Sequence, residues 1–158
     1  ILLLYMSGIN KWGPSTWLFL HMYANRINEK FYLRNKKKCL KIINDICYAL
    51  PCIHCRNHAI NFIKNVNERN VPNKAKLIEM LFTFHNQVNA RLGKPVKELK
   101  FLEEYTKYNF NNIIISFRMV FKTRYGFLMG GSVSNETNRN RVINDTDSWL
   151  KNNWAFFN

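Results

Sequence analysis

Residues 50–59 read LPCIHCRNHA. Pro51 cannot sit inside a helix without losing a backbone donor, so it ends whatever precedes it and suits the opening of whatever follows. Upstream, Leu40, Ile43, Cys47 and Leu50 recur at helical spacing, which predicts a helix over about 36–50 with Lys36–Lys37–Lys38 near its start. Downstream, Cys55, Ala59, Phe62, Ile63 and Val66 share a helix face. The stretch is therefore a helix–proline–helix junction, with Cys52 and Cys55 in the first turn of the second helix. There the free N–H groups and the positive dipole end favour a thiolate.

The surrounding chain repeats the helical period. Gly13–Pro14–Ser15 opens a helix whose body, Trp17 to Ala24, is apolar on nearly every side. Asn70–Val71–Pro72–Asn73 marks a loop, and Leu77, Leu81, Phe84, Val88 and Leu92 predict a helix over about 74–92 that Gly93 ends. Val96 to Tyr108 reads as a shorter fifth helix. Residues 113–127 fit two templates: Ile115, Phe117, Met119 and Phe121 alternate as in a strand, while Ile113, Phe117, Val120 and Phe121 serve a helix. Residues 130–148, rich in Asn, Ser and Thr, read as a flexible linker. The tail WLKNNWAFFN carries aromatics that must dock or bind. The expected fold is all-α, a four-helix bundle with a short fifth helix, spanning residues 11–108. A C-terminal extension of uncertain form (109–158) follows.

Composition bounds the function. The chain has 158 residues, enough for one domain with a real core, and is 47% hydrophobic, so it folds. Its net charge of +14 favours acidic partners, but Lys and Arg are scattered, which reads as a solvated basic surface rather than a nucleic-acid site. The N-terminal ILLLY lacks the basic start and long apolar stretch of a signal peptide, and Met6 could be the natural start. No later run is long enough to span a membrane, so a cytoplasmic location is expected. The four cysteines, Cys39, Cys47, Cys52 and Cys55, then speak for redox or metal chemistry rather than a disulfide framework.

A structural zinc site wants two close ligand pairs, and only one C-x-x-C is present; Cys39 and Cys47 lie eight apart on one helix. No metal site is therefore expected. Covalent haem in its usual form is excluded because Arg56 follows Cys55. A proline-led dithiol suits disulfide exchange. His85 and Asn89 on the apolar fourth helix, and His21 one turn after Trp17 on the first, add polar groups to a core. Such groups are costly unless hydrogen-bonded, and beside a redox pair they suggest a bound polar, aromatic cofactor.

WGPSTWLFLHMYA (12–24), LPCIHCRNHA (50–59) and FHNQVNARLGKP (84–95), in that order and spacing, closely resemble the Erv/ALR family of FAD-linked sulfhydryl oxidases. The form looks most like the versions carried by large cytoplasmic DNA viruses, which places the protein in the host cytoplasm or the virion. The resemblance implies non-covalent FAD in the bundle, a Cys52–Cys55 disulfide beside the ring, Cys55 proximal to the flavin and Cys52 meeting the substrate. Trp12, Gly13, Trp17, His21, Cys55, His58, His85, Asn86, Val88, Asn89, Leu92 and Lys94 match cofactor-contacting positions. It further implies electron transfer to oxygen with hydrogen peroxide as product, and a homodimer.

The sequence departs from the family pattern in places. Asn25–Arg26 stands where Tyr-Pro is usual, Phe101 or Tyr105 must replace the tryptophan that covers the adenine, and no cysteine follows Cys55. The substrate is thus a thiol-containing protein or a separate dithiol shuttle. The competing classes are a basic helical module binding zinc and nucleic acid, and a catalytically inactive virion structural protein.

Overall fold

The computed structural model describes residues 2–125 and 132–157. Among these every regular element is helical: α1 (Leu2–Arg26), α2 (Glu29–Tyr48), α3 (Ile53–Ile63), α4 (Lys74–Arg91), a 3-10 helix (Leu99–Lys107), α5 (Phe110–Lys122), α6 (Val133–Asn153) and a terminal 3-10 turn (Trp154–Phe156). The all-α expectation holds, and the starts of α2, α4, α5 and α6 have a chemical cause. The side chains of Asn28, Asn73, Asn109 and Ser132 accept the backbone N–H three residues on, at 2.9 to 3.2 Å.

Several boundaries differ from the sequence reading. α1 begins at Leu2 rather than near Gly13, and Pro14 lies inside it. The missing Pro14 donor is tolerated within a long helix, and Thr16 Oγ1 donates to Trp12 O in the same turn (2.9 Å). α2 begins at Glu29, capped by Asn28. The expected start near Lys36 coincides instead with a kink, since Asn35 has non-helical dihedrals (φ −127°, ψ 20°) and its side chain donates to Phe31 O. The fifth helix is 3-10 rather than α.

The larger correction concerns the C-terminal third. Phe110, Ile113, Phe117 and Phe121 are buried in α5 while Ile115 and Met119 are exposed, so the helical template wins over the alternating one. The expected linker over 130–148 is largely α6, whose Val142, Ile143, Thr146 and Leu150 are buried. Its polar composition hid a narrow apolar stripe. Residues 126–131, which include the end of the 113–127 segment and the start of the 130–148 one, lie outside the described residues.

α1 is the spine. It packs on α4 and the 3-10 helix to one side and on α5 to the other. Phe19 stacks on Phe117 (4.3 Å between ring centroids) and lies near Phe110 (6.1 Å). The apolar residues of α1 that could have served a homodimer are therefore packed, in part, against α5 of the same chain. The terminal aromatics dock at the α1–α2 corner. Asn28 N–H donates to Phe156 O (2.7 Å), Phe156 stacks on Phe31, and Phe157 lies against Tyr23. Buried Arg139 of α6 donates to the carbonyls of Phe121 and Thr123 and to Asn135 Oδ1. Its cation thereby caps the C-terminus of α5, where the helix dipole favours positive charge.

Candidate active site

Cys52 is the N-cap of α3. Its backbone is extended (φ −95°, ψ 123°), and its sulfur accepts the Cys55 N–H at 3.1 Å. Arg56 in the next position donates to Leu50 O (3.2 Å), tying the first turn of α3 back to the end of α2. Pro51 thus does what the sequence suggested: it separates two helices and leaves the Cys52 sulfur on unsatisfied N–H groups, where negative charge is favoured. Both Cys52 and Cys55 are buried.

Cys55 lies on the wall of a cavity of about 440 Å³, which α1 to α4 and the 3-10 helix line. α1 gives Trp12, Gly13, Thr16, Trp17 and Leu20; α2 gives Ile46, Cys47 and Leu50; α3 gives Cys55 and Ala59. α4 and the loop after it give Phe84, His85, Val88, Asn89, Arg91, Leu92, Lys94, Pro95 and Lys97, and beyond them come Phe101, Tyr105 and Tyr108. A largely apolar cleft of this size with a few convergent polar groups is the usual form of a small-molecule site.

An aromatic ladder crosses the cavity side of the bundle. Trp17 stacks on His85 (4.2 Å, 7°), the Nε2 of His21 lies 3.1 Å from the Nδ1 of His85, and His21 stacks on Tyr105 (4.3 Å, 15°). Burial, and secondarily His85, pushes His21 down to about 3; burial, then Lys94 and Lys97, pushes His85 down to about 4. Both rings are neutral at pH 7 and share one proton between the facing nitrogens. Five buried side-chain atoms among the described residues have no protein partner: Trp12 Nε1 on the cavity wall, His21 Nδ1 behind it, His58 Nδ1 in α3, and Thr146 Oγ1 and Trp149 Nε1 in α6. A buried unmet donor or acceptor costs about 1–3 kcal/mol. The Trp12 donor belongs to a cavity residue, so a polar ligand there can supply what the protein does not.

Of the residues singled out in the sequence, Trp12, Gly13, Trp17, Cys55, His85, Val88, Asn89, Leu92 and Lys94 line this cavity. His21 stands directly behind His85. His58 does not join them. It lines the neighbouring groove between α3 and α4 with Asn61, Phe62 and Thr83, because Cys55 and Ala59, four apart, take the cavity-facing side of α3. Burial and Arg91 lower its pKa. Asn86 is also off the wall, since its amide clasps the backbone of Lys97.

Sequence reasoning missed Cys47 as a wall residue, because its place on the apolar stripe of α2 made it read as core. Burial pushes its thiol up to about 12, and that of Cys39 to about 11, so both stay protonated. It missed Lys97 as well, whose only sequence signal was its place three residues after Lys94. Phe101 and Tyr105, weighed as substitutes for one missing aromatic, are both on the wall, in edge-to-face contact (5.7 Å, 88°). Among the described residues no group of three or more His, Cys, Asp or Glu side chains is placed to hold a metal, and no helix is long and apolar enough to cross a membrane.

The model of the Erv1 / Alr family matches residues 14–111. A putative FAD-linked sulfhydryl oxidase, 096R of Invertebrate iridescent virus 3, is 36% identical over 85 residues, covering 53% of this chain and 57% of that protein. The putative FAD-linked sulfhydryl oxidase 347L of Invertebrate iridescent virus 6 is 33% identical over 93 residues, covering 54% of this chain and 82% of that protein. The FAD-linked sulfhydryl oxidase of African swine fever virus (isolate Pig/Kenya/KEN-50/1950) is 33% identical over 85 residues, covering 54% and 71%. The chain thus spans little more than half of the first of these relatives. No solved structure matches.

Proposed function

The chain belongs to the Erv1 / Alr family, and from that premise we propose that it is an FAD-dependent thiol oxidase that forms disulfide bonds in protein substrates. The observation that carries the reading is the position of Cys55: on the wall of the aromatic cavity, one helical turn from an N-capping Cys52. The residues fit the cofactor. Trp17, Phe101 and Tyr105 offer planar walls for its rings, Lys94 offers charge for its phosphates, and Trp12 Nε1 offers a hydrogen-bond donor that the protein leaves unmet. Residues 11–108 would hold it, and Tyr105 takes the role of the absent tryptophan.

In this mechanism the resting pair is a Cys52–Cys55 disulfide. A substrate thiolate attacks the Cys52 sulfur, the S–S bond breaks, and Cys55 leaves as a thiolate. A second substrate thiolate then attacks the mixed disulfide, releasing the oxidised substrate and a Cys52 thiolate. The Cys55 N–H and the start of α3 stabilise charge on Cys52, which eases that second displacement. Neutral His21 and His85 keep positive charge off the apolar part of the wall. Bound FAD would supply the two-electron acceptor that restores the disulfide and passes the electrons to oxygen, giving hydrogen peroxide. Burial keeps the other two thiols, Cys39 and Cys47 on α2, protonated at neutral pH, so neither is poised to exchange with a substrate. The reductant is therefore a dithiol of the substrate or of a separate shuttle protein, and the basic surface would attract an acidic one.

The test is to purify the protein, record its visible spectrum, and follow oxygen uptake and peroxide with a dithiol. A yellow protein that consumes oxygen only with Cys52 and Cys55 intact supports the reading. A colourless protein that takes up no added FAD rejects it.

A further inference from the structure

Asn86 sits on α4 one turn before its end and does not touch the cavity. Its side chain spans eleven residues to Lys97, donating from Nδ2 to Lys97 O and accepting the Lys97 N–H at Oδ1, both at 2.9 Å. The loop between them is pinned a second time, since Lys94 N–H donates to Asn89 O (2.8 Å) just after Gly93, whose φ of +66° turns the chain off the helix. Two anchors thus fix a short loop that brings Lys94, Pro95 and Lys97 to one side of the cavity. The Lys97 ammonium stands 4.7 Å from the centroid of Phe101, another wall residue.

Apart from the contact of Lys97 with Phe101, no structural partner accounts for the place of the two lysines. The carbonyls of Val88, Asn89 and Ala90 at the end of α4 already accept the N–H groups of Leu92, Gly93 and Lys94, so no lysine is needed as a cap. Among the described residues neither Lys94 nor Lys97 has an acidic partner within salt-bridge distance, while seven other lysines or arginines are ion-paired. Both are close enough to His85 to depress its protonation, so their charge reaches the cavity interior.

We propose that Lys97 is a further cofactor-binding residue, which joins Lys94 at the diphosphate, and that Asn86 is the positioning residue that holds it there. This rests on the reading of the cavity as an FAD site. The ring end of the ligand then lies toward Cys55 and its charged end toward the loop after α4.

The experiment compares FAD dissociation from the wild type, Lys97→Gln, Asn86→Ala and the double variant between about 0.05 and 0.5 M salt. Riboflavin, which has the ring without phosphates, is titrated alongside. Lys97→Gln should weaken FAD binding by about tenfold and flatten its salt dependence, as expected for a lost charge-assisted hydrogen bond. Asn86→Ala should do the same through Lys97, so the double variant is no weaker than the weaker single one. Riboflavin binding should stay at the wild-type level in all three. Equal loss of riboflavin and FAD would show that the clasp builds the wall rather than placing charge, and would overturn the proposal. So would wild-type FAD affinity in Lys97→Gln at low salt, a result that leaves the oxidase reading intact. If Asn86→Ala does not fold, the exposed Lys97→Gln still decides the lysine. A wild type that binds no FAD at all sinks both readings together.

Discussion

Residues 11–108 and residues 109–157 bury comparable kinds of surface but are written differently. The first region places polar and redox groups where a core would exclude them: His21 and His85 face each other across 64 residues, and Cys52 caps a helix. Such placements cost stability unless chemistry or a ligand repays it, so they stand out against the apolar period. The buried side chains described in the second region pack against the first and against one another. α5 covers α1 with Phe110, Phe117 and Phe121, α6 covers α5 and α2, and its only buried charge, Arg139, serves the end of α5. Packing of that kind tolerates many sequences and leaves no signature. A region can be structurally indispensable and still read as a linker.

The largest expected effect tests that indispensability. A chain ending at Asn109 strips Phe19 and its neighbours of their cover and should lose cooperative thermal unfolding, seen by circular dichroism. A soluble 1–109 fragment that melts cooperatively and holds FAD would break the comparison, because the extension would then be an independent addition.

Chemistry sharpens it from the other side. Cys52→Ser and Cys55→Ser should each abolish dithiol-dependent oxygen uptake while leaving FAD bound, since helix side chains rather than sulfur line most of the cavity. The Cys39→Ser, Cys47→Ser double variant should keep activity towards a small dithiol and a protein substrate. Loss of protein oxidation alone in that variant would make these two cysteines the shuttle. On an unbroken helix their Cα atoms would be about 12 Å apart, beyond the reach of a disulfide.

Next in size is the core itself. Phe117→Ala, in the extension, removes a buried ring stacked on Phe19 and should cost about 3–5 kcal/mol in urea unfolding, with a dithiol Km unchanged. His85→Ala, in the motif region, should instead lose FAD, and with it the ligand's contribution, about 2.7 kcal/mol when FAD is at about a hundred times Kd. Full flavin occupancy and an unchanged melting temperature in His85→Ala would make His85 an ordinary core residue.

The smallest effect is in pH. His21 and His85 have folded pKa values near 3 and 4, below their ordinary 6.5. Between pH 6.5 and about 4 the unfolded chain therefore binds protons that the folded one does not, and stability falls as pH falls. Each histidine contributes up to about 1.4 kcal/mol per pH unit in that window. The melting temperature should be flat between about pH 7 and 8 and drop through the acid window, less steeply in His85→Gln. An equal slope in the variant would mean that other groups carry the acid sensitivity.

The sequence by itself determined the helices of the motif region, the break at Pro51, the capped cysteine pair and the family, because period, cap and breaker act within a turn or two of the chain. Of the site, nine of the twelve cofactor positions implied by the family resemblance lie on the cavity wall, while polar residues spaced on apolar helices by themselves singled out only His21, His85 and Asn89. The sequence did not reveal that Asn86 reaches Lys97, that Cys47 shares a wall with Cys55, or that His58 turns to another groove. Nor could it choose helix over strand for residues 113–127, since both templates bury Phe117 and Phe121. Only the tertiary structure decided these points. Which face of a helix is inside depends on what packs against it, and α1 and α6 cover the side of α5 that carries Phe117 and Phe121 while leaving Ile115 and Met119 exposed.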